Sequence, residues 1–261
     1  MKITIIGAGA MGGSFAEGLL HDDTFQPADL TVANPHAGKL EKFQRLGAAV
    51  TTDNKTAVAG ADIIAIVVKP WLVEEVINEI KSSLDYDHQI ILNMAAAIPS
   101  SQLLKWLDKK GKTPVLFQVI PNIAIAVKAS MTFIVPVGAL PAQTEQVKTL
   151  FDHLGESLIT DEQHLGAGTT LASCGIAYAM RYFRAASEGG VELGFKADIA
   201  KDIVLQTCKG AVALLQSNGN HPEAEIDKVT TPGGLTIKGL NTMEQYGFTN
   251  AVIQGLKAGV K

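Results

Sequence analysis

Cysteine is scarce: Cys174 and Cys208 are the only two in 261 residues. That is too few for a disulfide framework or a zinc site, and the expectation is a reducing, cytoplasmic setting. Positive charge is not in excess either. Lysine and arginine number 22 against 26 acidic residues, the formal net charge is −4, and no basic block occurs, which argues against a nucleic-acid partner. Long hydrophobic runs are missing. The most apolar stretches, residues 63–68 and 90–98, fall far short of the roughly 20 residues a membrane span requires. The apolar run at the N-terminus breaks off in glycines too early for a secretory leader. The six histidines are scattered; His164 and His221 have no carboxylates at ligand spacing, so no metal is expected. No Ser/His/Asp or Cys/His set at telling spacing appears.

What is present is concentrated at the N-terminus. A β-branched run, residues 2–6, empties into Gly7-Ala8-Gly9-Ala10-Met11-Gly12-Gly13 and then into helix-forming residues up to Leu20. A buried strand, a GxGxxG turn and a helix start, in that order, form a dinucleotide-binding fingerprint. Gly7 serves the tight bend, Gly9 lets backbone approach a pyrophosphate, and Gly12 permits close helix–strand packing. The N–H groups at the helix start, around Ala10 and Met11, then face the anion.

Residues 1–160 alternate between strand and helix patterns, as in a parallel sheet with crossover helices. Strands are expected at 2–6, 29–33, 61–68, 88–94, 113–120, 131–136 and 156–159, and helices at 11–20, 37–46, 73–82, 100–109 and 142–153. From residue 161 helix formers dominate. Residues 168–193 read as one long helix, apolar on most faces, followed by helices at 196–217, 235–245 and 250–258. A helix apolar nearly all round must be buried in a core or against a second subunit. The fold class expected is therefore α/β: an N-terminal Rossmann doubly wound sheet, residues 1–160, plus an all-α C-terminal dimerisation and substrate-binding domain, residues 161–261. A homodimer or higher homo-oligomer follows.

At the end of the second strand, an NAD-specific site would place an acid to bind the ribose 2′-OH. Here the chain reads Asn34-Pro35-His36-Ala37-Gly38-Lys39, without an acid. Asn34 can donate to a 2′-phosphate, and His36 and Lys39 can supply positive charge, so NADPH is favoured, with NADH possible. Asn34-Pro35 equally reads as a turn. A second contact strip is expected at Val67-Val68-Lys69-Pro70, where strand ends face the cofactor crevice. Ala95 and Ala96, small residues after the fifth run, would let backbone come close to the nicotinamide. Met94 and Trp71 are expected in core or lid packing.

One C-terminal stretch carries further chemistry: Val229-Thr230-Thr231-Pro232-Gly233-Gly234-Leu235-Thr236. Its hydroxyls, proline and glycines precede an apolar-periodic helix whose N–H groups can hold a carboxylate. Thr236 could reach a substrate nitrogen. Alternatively the stretch is only a capped helix start, with Thr231 as the cap.

These pieces together resemble the pyrroline-5-carboxylate reductase family over essentially the full length. The matching segments are the N-terminal GAGAMGG, the Thr52-Asp53-Asn54 turn, Val67 to Pro70, Pro121-Asn122, VTTPGGLTIKGL, and Met243 to Phe248. The resemblance implies NAD(P)H-dependent reduction of 1-pyrroline-5-carboxylate to L-proline. Thr231, Gly233, Gly234 and Leu235 would then hold the substrate carboxylate, Thr236 would act catalytically at the imine, and Asn54 would lie on the adenosine side of the cofactor. The chain departs from the family pattern at Ala172-Ser173-Cys174-Gly175-Ile176-Ala177-Tyr178, in place of SGSGPAY, and at Ile120-Pro121-Asn122-Ile123, in place of MPNT. A different cyclic imine or ketimine substrate, or a catalytically weak NADP-binding sensor, are the alternatives. A β-hydroxyacid dehydrogenase would want a lysine early in the long helix, and none occurs between Gly168 and Lys196.

Overall fold

The computed structural model describes residues 1–260, and contacts between residues divide them into two compact units, Met1–Ile176 and the residues from Ala177 onward. The first unit is built on eight strands. In chain order they are β1 (Ile3–Ile6), β2 (Leu30–Ala33), β3 (Ala49–Thr51), β4 (Ile63–Ile66), β5 (Ile90–Asn93), β6 (Val115–Ile120), β7 (Ser130–Val137) and β8 (Gly155–Ile159). The helices between them are α1 (Ala10–Leu20), α2 (Glu41–Arg45), α3 (Asn54–Val58), α4 (Val73–Ile80), α5 (Ser100–Leu107) and α6 (Pro141–Asp152); α7 (Glu162–Gly168) follows β8.

All eight strands lie in one sheet of order β3-β2-β1-β4-β5-β6-β7-β8. The first six run parallel in the doubly wound order 3-2-1-4-5-6, which reverses between β1 and β4. β7 pairs antiparallel to β6, unlike the uniformly parallel sheet expected. The connection between them, residues 121–129, is shorter than the dozen or so residues that a parallel crossover needs. β8 is again parallel to its neighbour β7, because α6 makes room for a crossover.

Strand periodicity sorts the core. Ile3, Ile5, Ile63, Ala65, Ile90 and Leu92 pack on one face with Phe15 and Phe151, whose rings stack at 5.5 Å. Ile6, Ile64, Ile66 and Ile91 pack on the other face with Val73, Ile77 and Ile80 of α4. Both faces are covered, as a parallel sheet requires. Thr4 is a polar residue in this core, and its hydroxyl donates to the Ala57 carbonyl at 2.6 Å.

In the first unit β3, α3 and α7 have no counterpart in the sequence reading, and the first two show why. β3 is three residues long, and α3 is five; both are too short to show a hydrophobic period. The long helix expected at 168–193 is interrupted. Residues Thr169–Cys174 form a π-helical stretch, and α8 begins only at Gly175 and runs to Glu192. Thr169 returns its hydroxyl to the Leu165 carbonyl at 2.7 Å, a bond that competes with regular helix pairing.

The second unit is helical: most of α8, then α9 (Ala197–Asn218), α10 (Pro222–Lys228), α11 (Leu235–Gln245) and α12 (Phe248–Ala258). α10 is an additional helix beyond those expected. α8 and α9 approach closely, since a Cβ on Gly190 would lie 2.9 Å from that of Ala200. The unit leaves many large apolar side chains exposed, among them Leu193 (83%), Leu235 (88%) and Tyr246 (84%). Among the described residues, no helix is long and apolar enough to cross a membrane.

Candidate active site

β1 is followed directly by Gly7, whose backbone N–H donates to the Ala33 carbonyl at 2.8 Å and whose φ is +110°. A side chain there would be strained, and its Cβ would stand 2.3 Å from the Val67 carbonyl oxygen. A Cβ on Gly12 would meet the Gly7 carbonyl oxygen at 1.9 Å, so α1 can begin this close to β1 only with glycine at both places. Gly9 differs: nothing lies within 4 Å of its added Cβ. It is the N-cap of α1, and no side chain caps that helix. The first-turn N–H groups at Ala10 and Met11 therefore look onto open space above a glycine. That combination fits a pyrophosphate, by charge at the helix N-terminus and by room for close approach.

The neighbouring strand ends complete the cradle. At the end of β2, buried Asn34 accepts the His36 backbone N–H on Oδ1 at 3.0 Å and donates its own N–H to Thr51. This local turn leaves His36 and Lys39 exposed beside it. At the end of β4, Val67 donates to the Ile6 carbonyl and is buried, while Lys69 is exposed and Pro70 opens a short 3-10 turn, Pro70–Leu72. Trp71 is 76% exposed, contrary to the expected core or lid packing, because that turn carries it away from the sheet. Met94, by contrast, lies in the core. After β3, Asp53 caps α3, and its carboxyl is held below the usual carboxylate range by the Thr56 hydroxyl and by the backbone N–H groups of Thr56 and Lys55. Asn54 donates to the Glu79 carboxylate at 2.7 Å, which fixes the amide on the rim.

Past β5, Ala95 is buried and Ala96 half-buried, and Ala97 sits at φ +64°. An L-residue in this left-handed region costs about 1–2 kcal/mol, and glycine relieves that at some loss of unfolded-chain entropy. Ala97→Gly is accordingly expected to raise stability by about 0.5 kcal/mol in chemical denaturation. A destabilised variant would show that the loop is not strained.

The strands β2, β1, β4 and β5 are adjacent in the sheet. Gly7, Gly9, Ala10, Met11, Gly12, Asn34, His36, Lys39, Val67, Val68, Lys69, Pro70, Ala95 and Ala96 thus converge on one carboxyl-end edge, at the point where the strand order reverses. Sequence reasoning missed Gln118 beneath that edge and gave the amide of Asn93 no role; both are buried. A single amide inside the apolar run Val-Leu-Phe-Gln-Val-Ile was the available signal.

The second predicted set lies in the helical unit. Thr231 to Gly234 form a tight turn in which the Gly234 N–H donates to the Thr231 carbonyl at 2.9 Å, with Pro232 second and Gly233, at φ +73°, third. This is a type II turn, which calls for that proline and that glycine. The N-cap of α11 is Gly234, without a side-chain cap, so Thr231 is not the cap. Thr231 Oγ1 instead comes so near Gly234 that a Cβ there would meet it at 2.4 Å. Leu235 and Thr236 are exposed in the first turn of α11. Among the described residues no cluster of three His, Cys, Asp or Glu could hold a metal ion.

A doubly wound sheet with a glycine turn at its switch point defines a dinucleotide-binding protein of the oxidoreductase type. The comparisons narrow this. A family model described as pyrroline-5-carboxylate reductase dimerisation matches residues 162–261, and one described as NADP oxidoreductase, coenzyme F420-dependent, matches residues 2–97. Two pyrroline-5-carboxylate reductases of Dictyostelium discoideum are similar. Reductase 1 is 35% identical over 97% of this chain and 48% of its own length, so the chain spans about half of it. Reductase 2 is 34% identical over 98% of this chain and 89% of its own length. The solved 1-pyrroline-5-carboxylate reductase of Streptococcus pyogenes superposes with a TM-score of 0.87 at 26% identity, covering 99% of this chain and 96% of that one. The chain belongs to the pyrroline-5-carboxylate reductase family.

Proposed function

We propose that this protein reduces 1-pyrroline-5-carboxylate to L-proline with NADPH, as a homodimer or larger homo-oligomer in the cytoplasm. The observation that carries the reading is one chain holding both an uncapped glycine cradle at a sheet switch point and an uncapped Thr-Pro-Gly-Gly helix start. Residues 1–160 would be the cofactor domain and residues 161–261 the helical domain. The family match beginning at residue 162 supports that division, and the apolar surface of the helical unit supports self-association.

NADPH would supply a hydride to the imine carbon. The chain's residues would hold and orient. Gly7, Gly9, Ala10, Met11 and Gly12 would bind the pyrophosphate through backbone; Asn34, His36 and Lys39 would meet the 2′-phosphate; Asn54 would contact the adenosine side. Val67, Val68, Lys69 and Pro70 would line the crevice, and Ala95 and Ala96 would lie under the nicotinamide. In the substrate, the carboxylate would sit on Thr231 and the backbone of Gly233, Gly234 and Leu235. Thr236, the catalytic residue, would donate to or orient the imine nitrogen.

The test is NADPH consumption with 1-pyrroline-5-carboxylate set against other cyclic imine carboxylates. The highest kcat/KM is expected for 1-pyrroline-5-carboxylate. A higher value for a different ring would reassign the substrate, and tight NADPH binding without turnover would favour a sensor. A second measurement addresses the phosphate pocket. His36→Ala combined with Lys39→Ala is expected to weaken NADPH about 10-fold, roughly 1.4 kcal/mol, while leaving NADH affinity unchanged. Equal losses for the two cofactors would remove these residues from 2′-phosphate recognition.

A further inference from the structure

Beneath the nicotinamide-facing edge lies a buried chain of amides. Asn93 and Gln118 are directly paired in register across β5 and β6, and are 0% and 2% exposed. In strands otherwise apolar, two such groups are tolerated only if fully bonded. Their bonds are directed at one segment. Asn93 Nδ2 donates to the Ala95 carbonyl at 2.8 Å and to Gln118 Oε1 at 3.2 Å, and Asn93 Oδ1 accepts the Ala95 N–H at 3.3 Å. Gln118 Nε2 donates to the Ile98 carbonyl at 3.0 Å, to Ser100 Oγ at 2.9 Å and to Glu162 Oε1 at 3.3 Å. The same Glu162 oxygen accepts the Ser100 N–H at 2.8 Å. The pair thus clasps the segment at its entry, Ala95, and at its exit, Ile98. Between these two points Ala97 is held in the left-handed region. Strain of that kind persists only where surroundings over-determine it.

We propose that Gln118 is a positioning residue for hydride transfer. Together with Asn93 and Glu162 it sets the height of the Ala95-Ala96-Ala97 backbone on which the nicotinamide rests. The proposal rests on the cofactor placement given above, but not on the identity of the imine. Glu162 opens α7, the first residue of the stretch matched by the dimerisation family. The clasp therefore joins the nicotinamide loop to the helix by which the chain leaves the sheet.

The test uses the full-length protein and three variants. Gln118→Leu keeps the side chain's bulk and removes every bond. Its kcat is expected to fall about 10- to 100-fold, the scale of a misplaced reacting atom. The primary isotope effect with NADPH deuterated at the transferred position is expected to rise. NADPH affinity is expected to stay within about 3-fold, equivalent to about 0.7 kcal/mol, because the phosphates bind elsewhere. In cofactor-free protein, amide exchange at residues 95–98 is expected to accelerate; with NADPH added, the emission of the bound cofactor is expected to move towards that of free NADPH. Gln118→Glu removes the donor and faces one carboxylate with another, so its defect is expected to be larger. Adding Glu162→Gln to it removes the charge repulsion but returns no donor to the Ile98 carbonyl, so part of the loss should be recovered, which also decides the matter if Gln118→Leu does not fold.

Unchanged exchange and isotope effect in Gln118→Leu would overturn the proposal. So would turnover and NADPH affinity falling by one common factor, or no recovery in the double variant. If the wild-type protein reduces no cyclic imine, the functional reading fails, while exchange and NADPH emission still decide the role of Gln118.

Discussion

Gly12→Ala is expected to lower NADPH affinity more than about 100-fold and to reduce Tm by about 5 to 10 °C. A Cβ at this position would lie 1.9 Å from the Gly7 carbonyl oxygen and 3.3 Å from Val67 Cβ. Backbone on one side and a buried strand on the other leave no flexible group to yield. Overpacking of this kind costs about 1–3 kcal/mol, and each kilocalorie moves Tm by about 2–4 °C in a chain of this size. The start of α1 must then move off β1, and the N–H groups aimed above Gly9 move with it. Gly9→Ala is the matched control. Gly9 has φ −78° and ψ −167°, which alanine adopts freely, and its added methyl would touch nothing. Tm should therefore be unchanged, while NADPH binding weakens about 10-fold or more, because the methyl occupies the space assigned to the pyrophosphate. Differential scanning fluorimetry and NADPH fluorescence titration read both effects. Wild-type affinity in Gly9→Ala would remove the pyrophosphate from this turn.

Thr236→Ala is expected to lower kcat about 100-fold, the scale of losing one donor aimed at a reacting group. NADPH affinity should not change. The side chain is exposed in the first turn of α11, and alanine is the better helix former by several tenths of a kcal/mol, so folding is not at risk. A loss of turnover then reports on chemistry, and Thr236→Ser should retain most of the activity. Steady-state rates at saturating imine check this. Unchanged kcat in the alanine variant would take Thr236 out of the mechanism.

Both predictions concern segments that were legible before the structure, for a local reason. The β1–α1 turn and the Thr231–Gly234 turn are specified within a few residues: glycine where φ is positive or a neighbour is too close, proline where φ must be near −65°. The parallel pattern of β1, β2, β4, β5 and β6 was legible too, since strand and helix periods alternate. Short elements were not: β3 and α3 carry too few residues for a period to register. The exposure of Trp71 and the break at Thr169–Cys174 were equally hidden, because each depends on where a neighbouring turn or helix directs the chain.

The class of fold, the dinucleotide turn and the Thr-Pro-Gly-Gly helix start could be read from the chain alone, because each is written in nearby residues with restricted backbone choices. The reversal of β7 against β6 emerged only on folding, and the folded chain did more. It alone brought the ends of β2, β1, β4 and β5 to one edge, and set Asn93, Gln118 and Glu162 in a single bonded chain beneath it. The physical reason is distance along the chain. An amide in an apolar strand shows that a partner must exist, and folding alone selects which residue, 25 or 44 positions away, that partner is.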